Sequence, residues 1–160
     1  MKRIYIVFTL FFAQLIGAQW INNPSPTIST INSIYFNKQH VGFFTTNNKI
    51  FNSIDMGNSW TPIEIGSNYN LYNITFVDSL LGFIVGSKDG NGIVIRTSDG
   101  GNNWNIISVG FANVFFDVSF VSSKNGWIFG EVGSLVGKIG KTIDGGSTWI
   151  DQHVDSYGPI

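Results

Sequence analysis

Three aspartates are the side chains of this sequence whose surroundings most resemble a reaction centre. Asp55, Asp99 and Asp144 each follow a hydroxyl residue by two positions and precede a glycine by two. A positioned carboxylate can act as a nucleophile or as a general acid or base. An Asp among glycines and hydroxyls is equally typical of a tight turn, because its oxygens accept backbone N–H groups. The elements that position these residues decide between the two interpretations.

The aspartates belong to one motif that occurs three times. Its copies read NSIDMGNSWTPI, RTSDGGNNWNII and KTIDGGSTWIDQ, with the aspartates 44 and 45 residues apart. A repeat of this length is typical of solenoids and propellers. The shared template is a hydroxyl, any residue, Asp, any residue, Gly, any residue, a small polar residue and Trp. Its members are Ser53, Asp55, Gly57 and Trp60; Thr97, Asp99, Gly101 and Trp104; and Thr142, Asp144, Gly146, Thr148 and Trp149.

Strand patterns surround every copy. Upstream of each lies a strand, a short turn and a second strand, within INSIYFNKQHVGFF, LYNITFVDSLLGFIVG and FFDVSFVSSKNGWIFG. A third strand runs into the Asp, and a fourth leaves from the Trp. The first strands alternate apolar and polar residues, which predicts one apolar face. The apolar residues of that predicted face are Tyr72, Ile74 and Phe76 in one copy and Phe116, Val118 and Phe120 in the next.

Four strands in each repeat predict a propeller blade. The expected fold class is therefore all-β, a partial β-propeller of about three four-stranded blades, each with one Asp turn. We expect the blades over about residues 29–66, 70–110 and 114–154. No helical spacing competes after the N-terminal segment.

Composition narrows the function. The chain has 160 residues, 43% hydrophobic and 12% charged, with a formal charge of −1. This charge provides no basic excess to neutralise phosphates, so a nucleic-acid partner is not expected. The absence of cysteine excludes disulfides and thiolate metal sites. We predict no metal site and no cofactor.

Residues 1–18 have the pattern of a cleaved signal peptide, with Lys2 and Arg3 before an apolar run and Gly17-Ala18 at its end. The run is shorter than the roughly 20 residues of a membrane-spanning helix, so no stable span is expected after cleavage. The protein is predicted to be exported, to the periplasm, the cell surface or the medium. Residues 19–23 contain Trp20 and resemble an outgoing strand meant for a further blade. This predicts that the 160 residues are an N-terminal part of a larger propeller.

The motif resembles the BNR or Asp-box repeat, which Thr142, Asp144, Gly146, Thr148 and Trp149 match most fully. The longer unit, VSFVSSKNGWIFGEVG before KTIDGGSTW, is most similar to photosystem II assembly factors and related secreted bacterial propellers. Sialidases and sortilin-type receptors also carry the box. The resemblance therefore implies a β-propeller and leaves the activity open.

The sequence lacks the residues that the enzymatic alternatives require. The sialidase resemblance would require three arginines, but only Arg96 follows the predicted leader, and it is expected at an exposed strand position. A glycosidase needs a pair of carboxylates at one sugar bond, and Glu64 and Glu131 lie at non-equivalent positions. His40 and His153 have no partner motif. We therefore assign no catalytic residue and regard Asp55, Asp99 and Asp144 as structural.

The sequence thus favours an exported, non-enzymatic propeller module that binds or scaffolds protein or carbohydrate at the cell envelope, through ligand-binding residues that the sequence does not identify. Two alternatives stay open. One is a fragment of an Asp-box glycoside hydrolase whose catalytic residues lie elsewhere. The other is a chaperone resembling the photosystem assembly factors, although the arginine-rich patch of that family is missing here.

Overall fold

The computed structural model describes residues 24–133 and 136–152, and these residues form twelve strands and no helix. The strands make three separate four-stranded antiparallel sheets. The first sheet contains β1 (Ser33–Phe36), β2 (Gly42–Thr45), β3 (Lys49–Ser53) and β4 (Thr61–Glu64). The second contains β5 (Tyr69–Phe76), β6 (Gly82–Lys88), β7 (Asn91–Thr97) and β8 (Asn105–Ser108). The third contains β9 (Val114–Phe120), β10 (Gly126–Val132), β11 (Val136–Thr142) and β12 (Ile150–Asp151).

In each sheet the strands are neighbours in the order in which they occur in the chain. Successive strands are joined by turns, as the repeat predicts. The β6–β7 hairpin shows the local chemistry, because Asp89 and Gly90 at its tip adopt φ values of 50° and 76°. Such a turn needs two residues that tolerate positive φ, which Asp and Gly do. The prediction of an all-β fold with about three four-stranded blades is confirmed.

The apolar face predicted for the first strands is only partly correct. The pairing of β5 with β6 shifts between Leu71 and Asn73, which leaves Tyr72 as an extra residue. Tyr72 is exposed, whereas Leu71 on the preceding position is buried. A bulge inserts one residue and reverses the alternation on one side of it. The simple period-two assignment therefore fails at Tyr72.

The third blade contains the same irregularity. Phe116 has no partner in β10, since Asp117 pairs with Phe129 and Phe115 pairs with Gly130. As a result Phe115 is the fully buried residue and Phe116 is half-buried. The two displaced rings, Tyr72 and Phe116, contact each other edge to face at 5.5 Å between centroids. The prediction that Tyr72 and Phe116 share the apolar face of their strands is therefore wrong.

Glycine on the neighbouring strand permits each bulge. A Cβ on Gly86 would lie within 2.1 Å of the carbonyl oxygen of Asn70, and one on Gly130 within 1.9 Å of that of Val114. Any side chain there would force the two backbones apart. These glycines stand at equivalent places in the second and third blades, and both allow the close approach of an inner strand.

The hydrophobic core lies between the blades. One cluster joins the first and second blades, and a second cluster joins the second and third. We call the side of a blade that is turned toward the next blade in the chain its forward face, and the opposite side its rear face. The forward faces carry Phe43 and Ile50 in the first blade and Phe83, Val85 and Val94 in the second. The rear faces carry Ile74, Phe76 and Ile84 in the second blade and Val118, Phe120 and Ile128 in the third.

Two predictions concern residues outside this description. The signal peptide of residues 1–18 and the strand at residues 19–23 both lie outside the described residues. The parts that the structure describes contain no helix long and apolar enough to cross a membrane.

Candidate functional site

The third Asp turn shows how the motif works. Asp144 Oδ1 accepts hydrogen bonds from the Thr142 hydroxyl at 2.8 Å and from the N–H groups of Ser147 and Thr148 at 3.0 Å each. Its Oδ2 accepts from the Thr148 hydroxyl at 2.6 Å. The Thr142 oxygen in turn accepts the Gly146 N–H at 2.9 Å. The carboxylate therefore satisfies the donors of its own loop.

The other two turns repeat this arrangement. Asp99 accepts the Thr97 hydroxyl and both the N–H and the side-chain amide of Asn103, at 2.7 to 2.9 Å. Asp55 accepts the Ser53 hydroxyl and both the N–H and the hydroxyl of Ser59, at 2.6 to 2.9 Å. Each aspartate is thus surrounded by donors from within five residues of itself, and each belongs to a different blade.

These donors lower the pKa of the three carboxyl groups. The pKa of Asp55, Asp99 and Asp144 falls from 3.8 to about 2. The largest cause is the hydroxyl of Ser59 for Asp55, the N–H of Asn103 for Asp99 and the hydroxyl of Thr148 for Asp144. A hydrogen bond to the ionised form stabilises that form. A carboxyl group with this pKa is a poor general acid or base near neutral pH.

Two consecutive positions of each turn have positive φ. They are Gly100 and Gly101 in the second blade and Gly145 and Gly146 in the third. In the first blade Met56 takes the first of these positions with φ of 62°, followed by Gly57. A residue with a side chain at the first of these positions costs roughly 1–2 kcal/mol of backbone strain. The turn that contains Met56 is therefore the least stable of the three.

The tryptophan that ends each motif lies between aromatic rings. Trp104 contacts Phe76 of its own blade and Phe43 of the preceding blade, with centroids 5.9 and 6.1 Å apart. Trp149 contacts Phe120 of its own blade and Phe83 of the preceding one, at 5.9 and 6.4 Å. The indole therefore joins successive blades as well as its own turn.

The indoles of Trp104 and Trp149 stabilise the fold by packing and not by hydrogen bonding. Neither the Nε1 atom of Trp104 nor that of Trp149 has a hydrogen-bond partner among the described residues, and both atoms are buried. Trp60 differs, since its aromatic neighbours Phe36 and Phe44 both belong to its own blade.

Glycine makes room for the ring of the preceding blade. A Cβ on Gly101 would lie 2.4 Å from Phe43, and one on Gly146 would lie 2.3 Å from Phe83. The motif glycine therefore serves both the positive φ of the turn and the contact between blades. The sequence pattern of a single repeat did not predict this contact between Phe43 or Phe83 and the next Asp turn.

Arg96 also connects two blades. Its Nε donates to the carbonyl oxygen of Gly145 at 2.9 Å, across 49 positions in the chain. The side chain is half-buried, which contradicts the expectation that Arg96 occupies an exposed strand position. The reason is that the Asp turn of the third blade lies against β7, an arrangement that only the packing of blades reveals.

The other residues that were considered for catalysis or metal binding do not form one site. Glu64 forms an ion pair with Lys49 at 2.7 Å in the first blade, whereas Glu131 lies on β10 of the third. His40 is exposed in a turn with φ of 65°. His153 lies outside the described residues. Over residues 24–133 and 136–152, no group of three His, Cys, Asp or Glu side chains is arranged to hold a metal ion.

A cleft lies between the ends of β5 and β9, the first strands of the second and third blades. It has a volume of about 490 Å³ and is lined by two equivalent segments, Thr75–Asp78 around the end of β5 and Val118–Ser123 around the end of β9. Ser119 is exposed there and Thr75 is half-buried. Asp78 Oδ1 accepts the N–H groups of Leu80 and Leu81 at 2.8 Å each. The cleft thus combines strand backbone, hydroxyls and one carboxylate.

Comparison with solved structures identifies the fold of the chain. The chain superposes on a structure described as YCF48 bound to D1 peptide with a TM-score of 0.65 at 22% identity, covering 79% of this chain and 41% of that one. The fold is that of a β-propeller. YCF48 from Cyanidioschyzon merolae matches equally well, with a TM-score of 0.65, 21% identity and coverage of 83% and 44%.

The sequence comparison agrees with the structural one. The family described as photosynthesis system II assembly factor YCF48 matches residues 100–159. The predicted resemblance to that family is confirmed. The chain spans less than half the length of the two YCF48 structures it matches. None of the curated proteins matches the chain.

Proposed function

We propose that this chain is a non-enzymatic part of a β-propeller that binds a segment of a protein partner, as an assembly-factor-like chaperone would. The observation that carries the proposal is the cleft of about 490 Å³ between the second and third blades. The similarity to a propeller described as bound to a D1 peptide supports it.

The cleft suits an extended peptide. Its two walls are the ends of β5 and β9, so they present backbone groups and the hydroxyls of Thr75, Ser119 and Ser122. Main-chain hydrogen bonds to an extended segment provide affinity, and side chains between the walls provide selectivity. Asp78 is exposed at the rim, so a Lys or Arg of the peptide would gain an ion pair there.

Carbohydrate is the weaker alternative for this cleft. Sugar-binding surfaces use exposed aromatic rings as platforms, but the two rings that line the cleft face the blade interface. Phe76 is buried, and Phe120 stacks on Phe83 at 4.4 Å between centroids. A protein segment, which binds through backbone and hydroxyl groups, matches the lining better.

A glycoside hydrolase is less consistent with the turns than a binding module. Hydrolysis of a sugar bond needs two carboxyl groups within one site, one of them with a raised pKa. Asp55, Asp99 and Asp144 lie in three blades, and the pKa of each is lowered to about 2. A fragment of such an enzyme would have to place both catalytic groups outside these turns.

We propose only that the partner is a protein, and no narrower class. Recognition by an arginine-rich patch would require several free guanidinium groups, but Arg96 is the one arginine after residue 3, and it bonds to Gly145. Export is part of the proposal and depends on the sequence of residues 1–18. Mass spectrometry of the mature N-terminus tests it, with cleavage after Ala18 expected and an intact Met1 contradicting it.

Peptide selection tests the binding proposal. The immobilised chain is presented with a phage-displayed library of random peptides and, separately, with a synthetic D1 peptide. We expect enrichment of sequences with a basic residue, and loss of their binding in Ser119→Arg, which fills the cleft. Asp78→Asn keeps the oxygen that accepts from Leu80 and Leu81 and should weaken only the basic peptides.

Ser98→Arg is the matched control, because Ser98 is an exposed serine on an Asp turn and does not line the cleft. It should bind the selected peptides as the unmodified chain does. If no sequence is enriched, or if the enriched peptides bind Ser119→Arg equally well, the cleft is not a peptide site.

A further inference from the structure

The cleft between the second and third blades has a counterpart between the first and second blades. The first strand of each blade ends with a phenylalanine that pairs with the glycine at the start of the next strand and lies over it. These phenylalanines are Phe36, Phe76 and Phe120. The residues just before them therefore occupy equivalent positions at the end of the strand, and they are Tyr35, Thr75 and Ser119.

Tyr35 fills this position between the first and second blades. Its ring stacks on Phe76 of the second blade at 5.1 Å between centroids, with an interplanar angle of 23°. Phe43, the partner of Tyr35 in the pairing of β1 with β2, stacks on the same ring at 5.0 Å. Phe76 is buried in this contact. Two aromatic rings from the first blade thus cover the end of β5.

Between the second and third blades, a threonine stands in the place of that tyrosine. Thr75 pairs with Phe83 as Tyr35 pairs with Phe43. Phe83 stacks on Phe120 at 4.4 Å, but Thr75 is too short to cover the rest of that ring, and Phe120 stays half-buried. Thr75 and Phe120 both line the cleft of about 490 Å³. The cleft therefore opens where a tyrosine ring packs one blade earlier.

From this geometry we propose that the cleft accepts an aromatic side chain of the bound protein segment, stacked on Phe120 beside Phe83. The inference rests on the proposed function, because it names the side chain that anchors the segment in the same cleft. The inserted ring lies on Phe120 as Tyr35 lies on Phe76, and stacked aromatic pairs gain free energy beyond their buried area. The site uses the forward face of the second blade and the rear face of the third, which pack against each other.

The polar end of the cleft favours tyrosine over phenylalanine. Burial and the Asp78 carboxylate raise the pKa of the Tyr35 phenol, so this hydroxyl lies near the turn that follows β5. Ser122 stands at the position of Asp78 in the third blade and lines the cleft. Its oxygen accepts the N–H groups of Asn125 at 3.0 Å and of Lys124 at 3.3 Å. The Ser122 hydroxyl can therefore donate its own proton to the phenol oxygen of an inserted tyrosine.

Nuclear magnetic resonance with p-cresol, the side chain of tyrosine, tests the site without any peptide. In the full chain, we expect millimolar p-cresol to shift the amide signals of Ser119 and Phe120, since ligands of this size bind weakly. Thr75→Tyr places a ring of the chain in the cleft, as Tyr35 does one blade earlier, and should abolish these shifts. Thr75→Phe is the second variant in case Thr75→Tyr does not fold.

Ser98→Tyr is the matched control for the added ring. Ser98 is exposed on an Asp turn and does not line the cleft, so this variant should show the same shifts as the unmodified chain. The inference is overturned if p-cresol causes no shift in the unmodified chain, or if it shifts the signals of Thr75→Tyr to the same extent.

Tyr35→Thr is the converse test. It takes the Tyr35 ring away from Phe76 and so reproduces the second blade, and we expect a second cleft between the first and second blades. The variant should bind two equivalents of p-cresol instead of one, with new shifts in residues 35–38. Tyr35→Ser, which reproduces Ser119, serves if Tyr35→Thr does not fold.

Tyr72→Thr is the control for the lost tyrosine. Tyr72 is exposed and does not line the cleft, so this variant should bind one equivalent of p-cresol. A folded Tyr35→Thr chain that also binds only one equivalent would overturn the inference, since the two positions would then not be equivalent.

The peptides selected against the cleft separate this inference from the proposed function. Each should contain a tyrosine or phenylalanine, and replacing that residue with alanine should weaken binding by at least about 10-fold. If the selected peptides lose binding in Ser119→Arg but carry no aromatic residue, the peptide site stands and the aromatic anchor is wrong. If p-cresol binds as expected but no peptide is enriched, the aromatic site stands and the peptide-binding function is wrong.

Discussion

The ring of Phe43 lies edge-on against the indole of Trp104, with centroids 6.1 Å apart and an interplanar angle of 80°, although the two residues belong to different blades. Phe83 and Trp149 repeat the relationship one blade later, at 6.4 Å and 86°. The Asp motif therefore has two structural roles. It closes a turn within one blade and receives an aromatic ring from the blade before it.

The motif glycines should differ in their tolerance of a methyl group. In Gly57→Ala the cost is backbone strain at positive φ, roughly 1–2 kcal/mol. In Gly101→Ala the new methyl also meets Phe43 at 2.4 Å, and overpacking of this kind adds roughly 1–3 kcal/mol. Urea denaturation followed by circular dichroism measures both losses. Equal losses in the two variants would show that Phe43 moves aside freely.

The tryptophans should differ in the same way. Trp104→Ala removes a half-buried ring that contacts two blades, and we expect a loss of about 2–4 kcal/mol, near the lower part of the range for large aromatic truncations. Trp60→Ala removes contacts within the first blade only and should cost less. Chemical denaturation monitored by circular dichroism compares the two. A larger loss for Trp60→Ala would contradict the role of the indole in joining blades.

Stability should fall in acid through the three aspartates. Their folded-state pKa of about 2 lies below the ordinary value of 3.8. Between these values the unfolded chain binds more protons than the folded one, so the contribution is complete above about pH 4 and is lost as the pH falls through about 2. Denaturant midpoints measured across this range should follow that course.

Asparagine at the three positions provides the control for the acid effect. In the triple variant Asp55→Asn, Asp99→Asn, Asp144→Asn no carboxyl group titrates at the turns, so its stability should be lower than that of the unmodified chain near neutral pH and should change less between pH 4 and 2. If the variant keeps the full acid dependence, other carboxyl groups are responsible for it. If it folds normally and loses a measurable activity, the structural assignment is wrong.

Arg96 should contribute to stability through its contact with the next blade. Arg96→Met keeps an apolar stem but removes the donor to the Gly145 carbonyl, and the expected loss is about 1 kcal/mol, typical of one hydrogen bond. Lys124→Met, at an exposed cation, is the comparison. Thermal unfolding of both variants measures the difference, and indistinguishable midpoints would mean that the bond adds nothing.

Sequence patterns predicted the features that depend on neighbouring residues and missed those that depend on contacts between strands or blades. The turns at Asp55, Asp99 and Asp144 are closed by donors within five residues, so local sequence carries them. The bulges at Tyr72 and Phe116 were missed, because they depend on Gly86 and Gly130 of the partner strand. Those glycines were visible in GFIVG and GWIFG, and a second glycine four residues after the first was the available signal.

The amino-acid sequence alone determined the repeat, the all-β architecture and the turn chemistry, since each depends on residue type, alternation and spacing within one unit. Tertiary structure decided which faces are buried, that Phe43 and Phe83 insert beside the next Asp turn, that Arg96 joins two blades and where a cleft opens. The physical reason is that the core lies between blades, and contacts between units 44 residues apart leave no local pattern in either one.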